Sequence, residues 1–251
     1  MRNTTYDLEY SLVGAFLNGG LSPQAREVMS WLEPEMFATF QLGALYGNIR
    51  KQARKDDLID ILLLAQDYGE NFANLAELAS GYVYSGNILG YAKKIHSAWV
   101  NRTAQQALLK MEPKKFEAFC RALVRKMGVE IDSSLGISAT RDGGIDGFGY
   151  TISDDFRTTR VAIQAKRWNE NQVIGSPEID KFRGAMDKFR AEYGIFIATT
   201  RFAKDSYTNA KNEGTRTITL IDSNKIIELV EKYQLYITPI TTYQLGDFYK
   251  L

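Results

Sequence analysis

Two stretches decide how the C-terminal half of this 251-residue chain is read: TRDGGIDGFGY, residues 140–150, and VAIQAKRW, residues 161–168. In the first, Gly143, Gly144 and Gly147 bracket Asp142 and Asp146, and clustered glycines let the backbone turn tightly and a large ligand come close. Ile145-Asp146-Gly147-Phe148 then begins a strand. In the second, strand alternation puts Gln164 and Lys166 on one face and Val161, Ile163 and Ala165 on the other. A polar pair on one side of a strand with an apolar back marks a site more often than a core.

Working outward, Pro113 to Met127 reads as an amphipathic helix with Phe116, Phe119, Leu123 and Val124 on its apolar side. Strand-like runs cover Ile145–Ile152, Arg160–Ala165, Gly194–Thr199 and Thr217–Ile221, and helical segments Pro177–Arg190, Lys204–Asn212 and Asn224–Tyr233 alternate with the later ones. Strands joined by helices indicate an α/β layer structure. The first 110 residues read as helix after helix. Ser22-Pro23 is an N-cap followed by Pro at the first helical position. Glu33-Pro34-Glu35 opens another helix, with Phe37, Phe40, Leu42 and Leu45 as candidate core residues. Asp57 to Tyr68 follows, with Leu58, Ile61, Leu62, Leu64 and Ala65 apolar, then a short helix Asn71 to Ser80 and one long helix from Asn87 to Lys110. The division expected is 1–110, all helical, and 111–251, α/β.

Composition narrows the chemistry. There is one cysteine, Cys120, and one histidine, His96. A structural zinc site needs four Cys or His ligands, so zinc fingers are excluded, as is a disulfide framework. Any catalysis must run on carboxylates, amides and lysines. Cys120 is expected as a buried small hydrophobe and His96 as a packing or surface residue. The aromatic cluster Tyr82, Tyr84, Tyr91 is expected to pack. Net charge is +1, so a nucleic-acid partner would be held by a local patch and by metal. No apolar run approaches the roughly 18 residues of a spanning helix, and no signal pattern opens the chain, which points to a cytoplasmic protein with no membrane partner.

The carboxylate, amide and lysine around residues 146–166 suit phosphodiester hydrolysis, which needs oxygen ligands for a hard cation and a group to orient water. Asp146 supplies a carboxylate, Gln164 an amide oxygen and Ala165 a carbonyl. Lys166 can hold the attacking water or stabilise charge on phosphate. Glu117, on the preceding helix, reaches the site through water. Asp142 suits turn capping. Glu178 and Asp180 read as surface charges. Arg141, Arg167, Arg183, Arg201 and Lys204 are candidates for a phosphate path, and Trp168 for packing under a loop.

This pattern resembles the Mrr-type restriction endonucleases, a branch of the PD-(D/E)xK superfamily with a D-G-G-x-D-G turn and a Q-x-K strand. The likeness extends over 113–251 and includes FEAFCRALVRKMG (116–128), GSPEIDKFRGAM (175–186) and GIFIATTRF (194–202). It implies a central mixed β-sheet flanked by helices, and an endonuclease that cuts DNA with Mg²⁺, for which Mn²⁺ can substitute. It also implies Asp146 and Gln164 as metal ligands, Lys166 as the water-activating lysine and Glu117 as an accessory acid.

The N-terminal part resembles the helical N-terminal domain of DnaB-type replicative helicases, through DLEYSLVGAFLNG (7–19), LEPEMFATFQLGALYGNI (32–49), NLAELASG (74–81) and NILGYAKKIHSAWVNRTAQQAL (87–108). No G-x-x-x-x-G-K-[ST] loop occurs, so the helicase motor is missing. The resemblance implies a self-association or docking module: a homo-oligomer, with a replication protein as a possible partner. It differs from the winged-helix reader that often precedes Mrr-type nucleases. Restriction or anti-phage defence, or a phage or prophage function, is the expected setting. The alternatives are a DNA-binding or partner-docking protein on a nuclease fold, and a structure-specific repair nuclease or resolvase.

Overall fold

Local signals start most of the helices. The Ser22 side chain accepts from Ala25 N–H (3.1 Å) and Pro23 occupies the first turn of α2 (Pro23–Trp31). Asp60 and Asn71 cap α4 (Ile61–Tyr68) and α5 (Phe72–Ser80) in the same way, and Gly69 closes α4 at φ 71°. With α1 (Thr4–Gly19), α3 (Phe40–Asp56) and α6 (Ile88–Lys110), these make the N-terminal region all helical. The structure is a computed structural model and describes residues 4–81, 87–132, 145–153, 157–169 and 171–237. The chain divides into two compact units, Met1–Thr103 and Ala104–Leu251.

The first unit closes around Leu12, Phe16, Val28, Leu32, Tyr46, Ile49, Leu64, Leu75, Ala92 and Ile95. Glu9 and Arg50 are charged side chains buried in it. Glu9 accepts from Ala38 N–H (2.6 Å) and Thr39 N–H (3.0 Å), the amides leading into α3. Arg50 pairs with Glu33 and donates to the Met29 carbonyl (2.9 Å). The helices expected to start at Glu33 and at Asp57 start elsewhere. Pro34–Met36 forms one 3-10 turn and α3 starts afresh at Phe40, whose side chain is 84% exposed. Asp57 ends α3 in the left-handed conformation (φ 55°), so α4 begins at Ile61, and Leu58 and Leu62 face outward. His96 packs edge-on to Trp31 (5.8 Å) as expected. Tyr91 is half-buried against this core, while Tyr82 and Tyr84 lie outside the described residues.

The second unit has a mixed five-stranded sheet in the order β1 (Glu130–Ile131), β2 (Gly147–Ser153), β3 (Arg157–Lys166), β5 (Tyr193–Ala198), β7 (Ile218–Ile221). β1, β2 and β3 are antiparallel neighbours; β3, β5 and β7 run parallel. A separate parallel pair joins β4 (Val173–Ile174) to β6 (Arg201–Phe202). Both faces are covered, as parallel strands require. On one, Val161, Ile163, Ala165, Ile195, Ile197 and Ile221 meet α7 (Pro113–Lys126) and α10 (Ser223–Tyr233). On the other, Ala162, Phe196, Ala198 and Ile218 meet α8 (Ser176–Lys188) and Phe202, beside α9 (Lys204–Asn209). Gly149 is needed where β1 crosses: a Cβ there would lie 2.5 Å from the Glu130 carbonyl oxygen. Gly194 likewise admits Phe182 and Met186 of α8. Helices α7, α8, α9 and α10 fall where the sequence placed them, within a few residues.

Candidate active site

Asp146 stands immediately before β2, at the edge where β3 outruns its antiparallel neighbour. Its N–H donates to the Ile163 carbonyl (2.8 Å), and its Oδ2 accepts from the Ala165 N–H (2.7 Å). The carboxylate thus replaces a ladder partner that β2 does not supply. N–H and C=O of one strand residue point to the same side, so the Ala165 carbonyl also faces the Asp146 edge. Arg121 of α7 donates to the Asp146 carbonyl (3.2 Å) and closes the other flank.

Electrostatics mark this carboxyl. Burial pushes Asp146 up to about 6, and the nearby Glu117 carboxylate pushes the same way, against the Ala165 N–H, Lys166 and Arg121. Glu117 and Arg121 lie one turn apart on α7, half-buried beside its apolar stripe. Cys120, on the same helix, is fully buried, and burial raises its thiol well above the usual range; it is an inert packing residue.

Gln164 departs from the simple alternation picture. It is 2% exposed, because α8 covers the sheet face that the sequence alone would leave open, and its Oε1 has no hydrogen-bond partner. A buried acceptor left unmet costs about 1–3 kcal/mol, so such an atom calls for a water or a cation. Lys166 is half-buried at the last paired position of β3, opposite Ala198, and makes no ion pair with a described residue. Among the described residues no three His, Cys, Asp or Glu side chains come together. The oxygens available to a divalent cation here are the Asp146 carboxylate, Gln164 Oε1 and the Ala165 carbonyl. All are hard donors that fit Mg²⁺ or Mn²⁺.

The structure engages the phosphate-path candidates to different degrees. Arg183 is committed to the fold: its guanidinium donates to Asp180 (2.9 Å), to the Asn209 side chain (2.8 Å) and carbonyl (2.7 Å), and to the Arg216 carbonyl (3.4 Å). Arg167 is exposed but caps the end of α6 through the Leu109 carbonyl (2.9 Å). Arg201 and Lys204 are exposed without ion pairs among the described residues, and Arg201 borders a polar cleft of about 400 Å³ with Gln105, Asn171, Thr200 and Asn224. Arg141 and Asp142 lie outside the described residues. Asp180 is exposed and bonded to Arg183 and Asn209; Glu178 is half-buried. Trp168 is half-buried against the α8-side core. Sequence reasoning passed over Arg121 and Thr199. The first was readable as the i+4 neighbour of Glu117. The second stands at the end of an apolar strand.

Residues 108–230 match the family model described as restriction endonuclease, of the Mrr catalytic type, and residues 1–97 match the DnaB-like helicase N terminal domain. Both resemblances read from the sequence are met. The chain is 32% identical over 126 residues to the "Type IV methyl-directed restriction enzyme EcoKMrr" of Escherichia coli (strain K12); the match covers 49% of this chain and 39% of that protein. The chain thus spans well under half the length of this curated relative. Among solved structures, the "DNA modification-dependent restriction endonuclease AspBHI" aligns with TM-score 0.44 and 23% identity, over 54% of this chain and 37% of that one. "MspJI Restriction Endonuclease in Complex with 27-mer Oligonucleotide" aligns with TM-score 0.44 and 14% identity, over 63% and 44%. No helix among the described residues is long and apolar enough to cross a membrane.

Proposed function

We propose that this chain, with a Mrr-type restriction endonuclease match over residues 108–230, hydrolyses DNA phosphodiester bonds with a divalent cation, Mg²⁺ or in its place Mn²⁺. The observation that carries the reading is the pairing of Asp146, held at about 6 by burial, with the orphaned buried Oε1 of Gln164 on the strand that ends in Lys166. Asp146, Gln164 Oε1 and the Ala165 carbonyl would hold the cation. When bound, it supplies Lewis-acid polarisation of the phosphate. Asp146 also fixes the strand through the Ala165 N–H, so the cation ligand and the lysine keep a set spacing. Lys166 orients the attacking water and offsets charge on the phosphoryl oxygens as one P–O bond forms and one ester P–O bond breaks. Glu117 accepts and relays a proton through water. Arg201 and Lys204 contact the flanking backbone.

One site per chain cuts one strand, so a double-strand cut takes two chains or two successive nicks. We infer that the N-terminal unit, matched to the DnaB-like N-terminal domain, assembles copies of the chain or docks a replication protein. Its outward Phe40, Leu62 and Phe72 offer apolar contact. The setting is restriction of foreign DNA in the cytoplasm, or a phage or prophage function.

Plasmid DNA incubated with the protein in Mg²⁺ and in EDTA, beside Asp146→Ala and Lys166→Ala, tests the reading. Metal-dependent cutting lost in both variants is the expected result. Intact methylated, unmethylated and branched DNA after incubation with the wild type would sink it. Sedimentation of the full chain tests assembly, and a strict monomer at tens of micromolar would count against it.

A further inference from the structure

We propose that Thr199 is a positioning residue for Lys166, acting through the main chain of β3; the proposal rests on the nuclease reading above. Pairing between β3 and β5 ends at Lys166 and Ala198. Past that point the chain leaves the sheet, and a catalytic lysine at the last rung would ride on a fraying end. Thr199 prevents this with three hydrogen bonds. Its N–H donates to the Lys166 carbonyl (3.1 Å). Its hydroxyl accepts from the Trp168 N–H (2.9 Å) and donates to the Trp168 carbonyl (2.7 Å). One side chain thereby satisfies both main-chain groups of Trp168, a task the next rung of a continuing ladder would perform.

Thr199 is 4% exposed, so water competes poorly for these bonds. On the other side of the lysine, the Ala165 N–H is held by Asp146 Oδ2 at 2.7 Å. Lys166 therefore sits between two clamps, one residue before it and two after. The first clamp is also a cation ligand, which registers the lysine against the cation site. The second bonds Lys166 and Trp168 and none of the cation ligands, so its effect falls on where the lysine stands. Displacing a reacting group by about 1 Å costs about 100-fold in rate.

The hydroxyl is the part that matters, because only it can donate and accept at once. Valine keeps the shape of threonine and removes both Trp168 bonds; serine keeps the bonds and removes the methyl. The full-length wild type, Thr199→Val and Thr199→Ser are compared by amide hydrogen exchange at Trp168, by DNA affinity in EDTA, and by single-turnover cleavage of saturating plasmid DNA in Mg²⁺. In Thr199→Val the Trp168 amide should exchange about 10-fold faster or more, and the cleavage rate should fall about 10- to 100-fold with DNA affinity within about 2-fold. Thr199→Ser should return the rate to within about 3-fold of wild type. An unchanged Trp168 exchange in Thr199→Val overturns the clamp whether or not the protein cuts DNA. Faster exchange with a wild-type cleavage rate, or a serine variant as slow as the valine one, overturns the role in positioning. If the wild type itself leaves DNA intact, the nuclease reading fails first, and the positioning role falls with it.

Discussion

Replacing Asp146 with Asn should make the metal-free protein more stable at pH 8 while destroying its activity. The carboxyl titrates near 6 in the fold, against 3.8 for an unperturbed aspartate, chiefly because it is buried. A raised carboxyl stabilises the fold fully below the unfolded value, and that contribution is lost as pH rises through the folded one. Between about pH 4 and pH 6 the fold therefore gives up free energy to ionise this group, and above pH 6 the whole cost is in place. The full difference would be about 3 kcal/mol. Asp146 is only partly shielded from solvent, and the Ala165 N–H binds a carboxylate better than an amide, so about 1–2 kcal/mol is expected. For a domain of this size that raises the melting temperature by roughly 3–8 °C. Calorimetry of wild type and Asp146→Asn in EDTA at pH 4 and pH 8 is the assay. The variant should melt higher at pH 8 and nearly together with wild type at pH 4. Mg²⁺ should then lift the wild type at pH 8 and leave the variant where it was. A variant no more stable than wild type at pH 8, or a gap of equal size at both pH values, would refute the argument that burial strains this carboxylate.

Gln164→Leu removes the orphaned oxygen, so metal-free stability should stay within about 1 kcal/mol of wild type instead of dropping by the cost of a satisfied buried amide, while stabilisation by Mg²⁺ disappears in thermal melts. Arg183→Ala should lower stability by about 2–3 kcal/mol in urea titrations with no change in the salt dependence of DNA binding, since its donors serve the fold. Arg201→Ala should do the reverse, keeping the melting temperature and reducing the salt slope of DNA affinity by about 1. In the N-terminal unit, Glu9→Gln sets an amide N–H₂ against the Ala38 or Thr39 N–H and should cost about 1–3 kcal/mol; an unchanged melt would show that the bidentate cap is not needed.

The readable features were those set by neighbours in the chain. Caps at Ser22 and Asn71 work over three residues, so the local sequence sufficed to place those helix starts. Alternation along 161–166 gave strand and face, and the order of strands and helices after residue 113 gave the layer architecture. Where two local signals competed, reading by periodicity erred. Phe40 fits the apolar period of a helix running from Glu33, but the chain turns once and restarts, which leaves Phe40 in solvent. Leu58 and Leu62 went wrong for the same reason: Asp57 in the left-handed region moved the start of α4 to Ile61, capped by Asp60.

The sequence by itself determined the chemistry open to this protein. One His and one Cys leave carboxylate, amide and lysine, and the strand period sets Gln164 and Lys166 to one side. The tertiary structure decided how those groups behave, because that depends on partners far along the chain. Helix α8 covers the face of Gln164 and leaves its oxygen unmet. Burial raises the Asp146 carboxyl, and Glu117 on α7, 29 positions upstream, adds to it. Arg183 is held by Asn209, 26 residues away. Thr199, 31 residues beyond Trp168, holds the end of the lysine's strand. Periodicity reports which side of an element a residue faces; only long-range packing sets what covers that side, and burial there sets the charge and the hydrogen bonds.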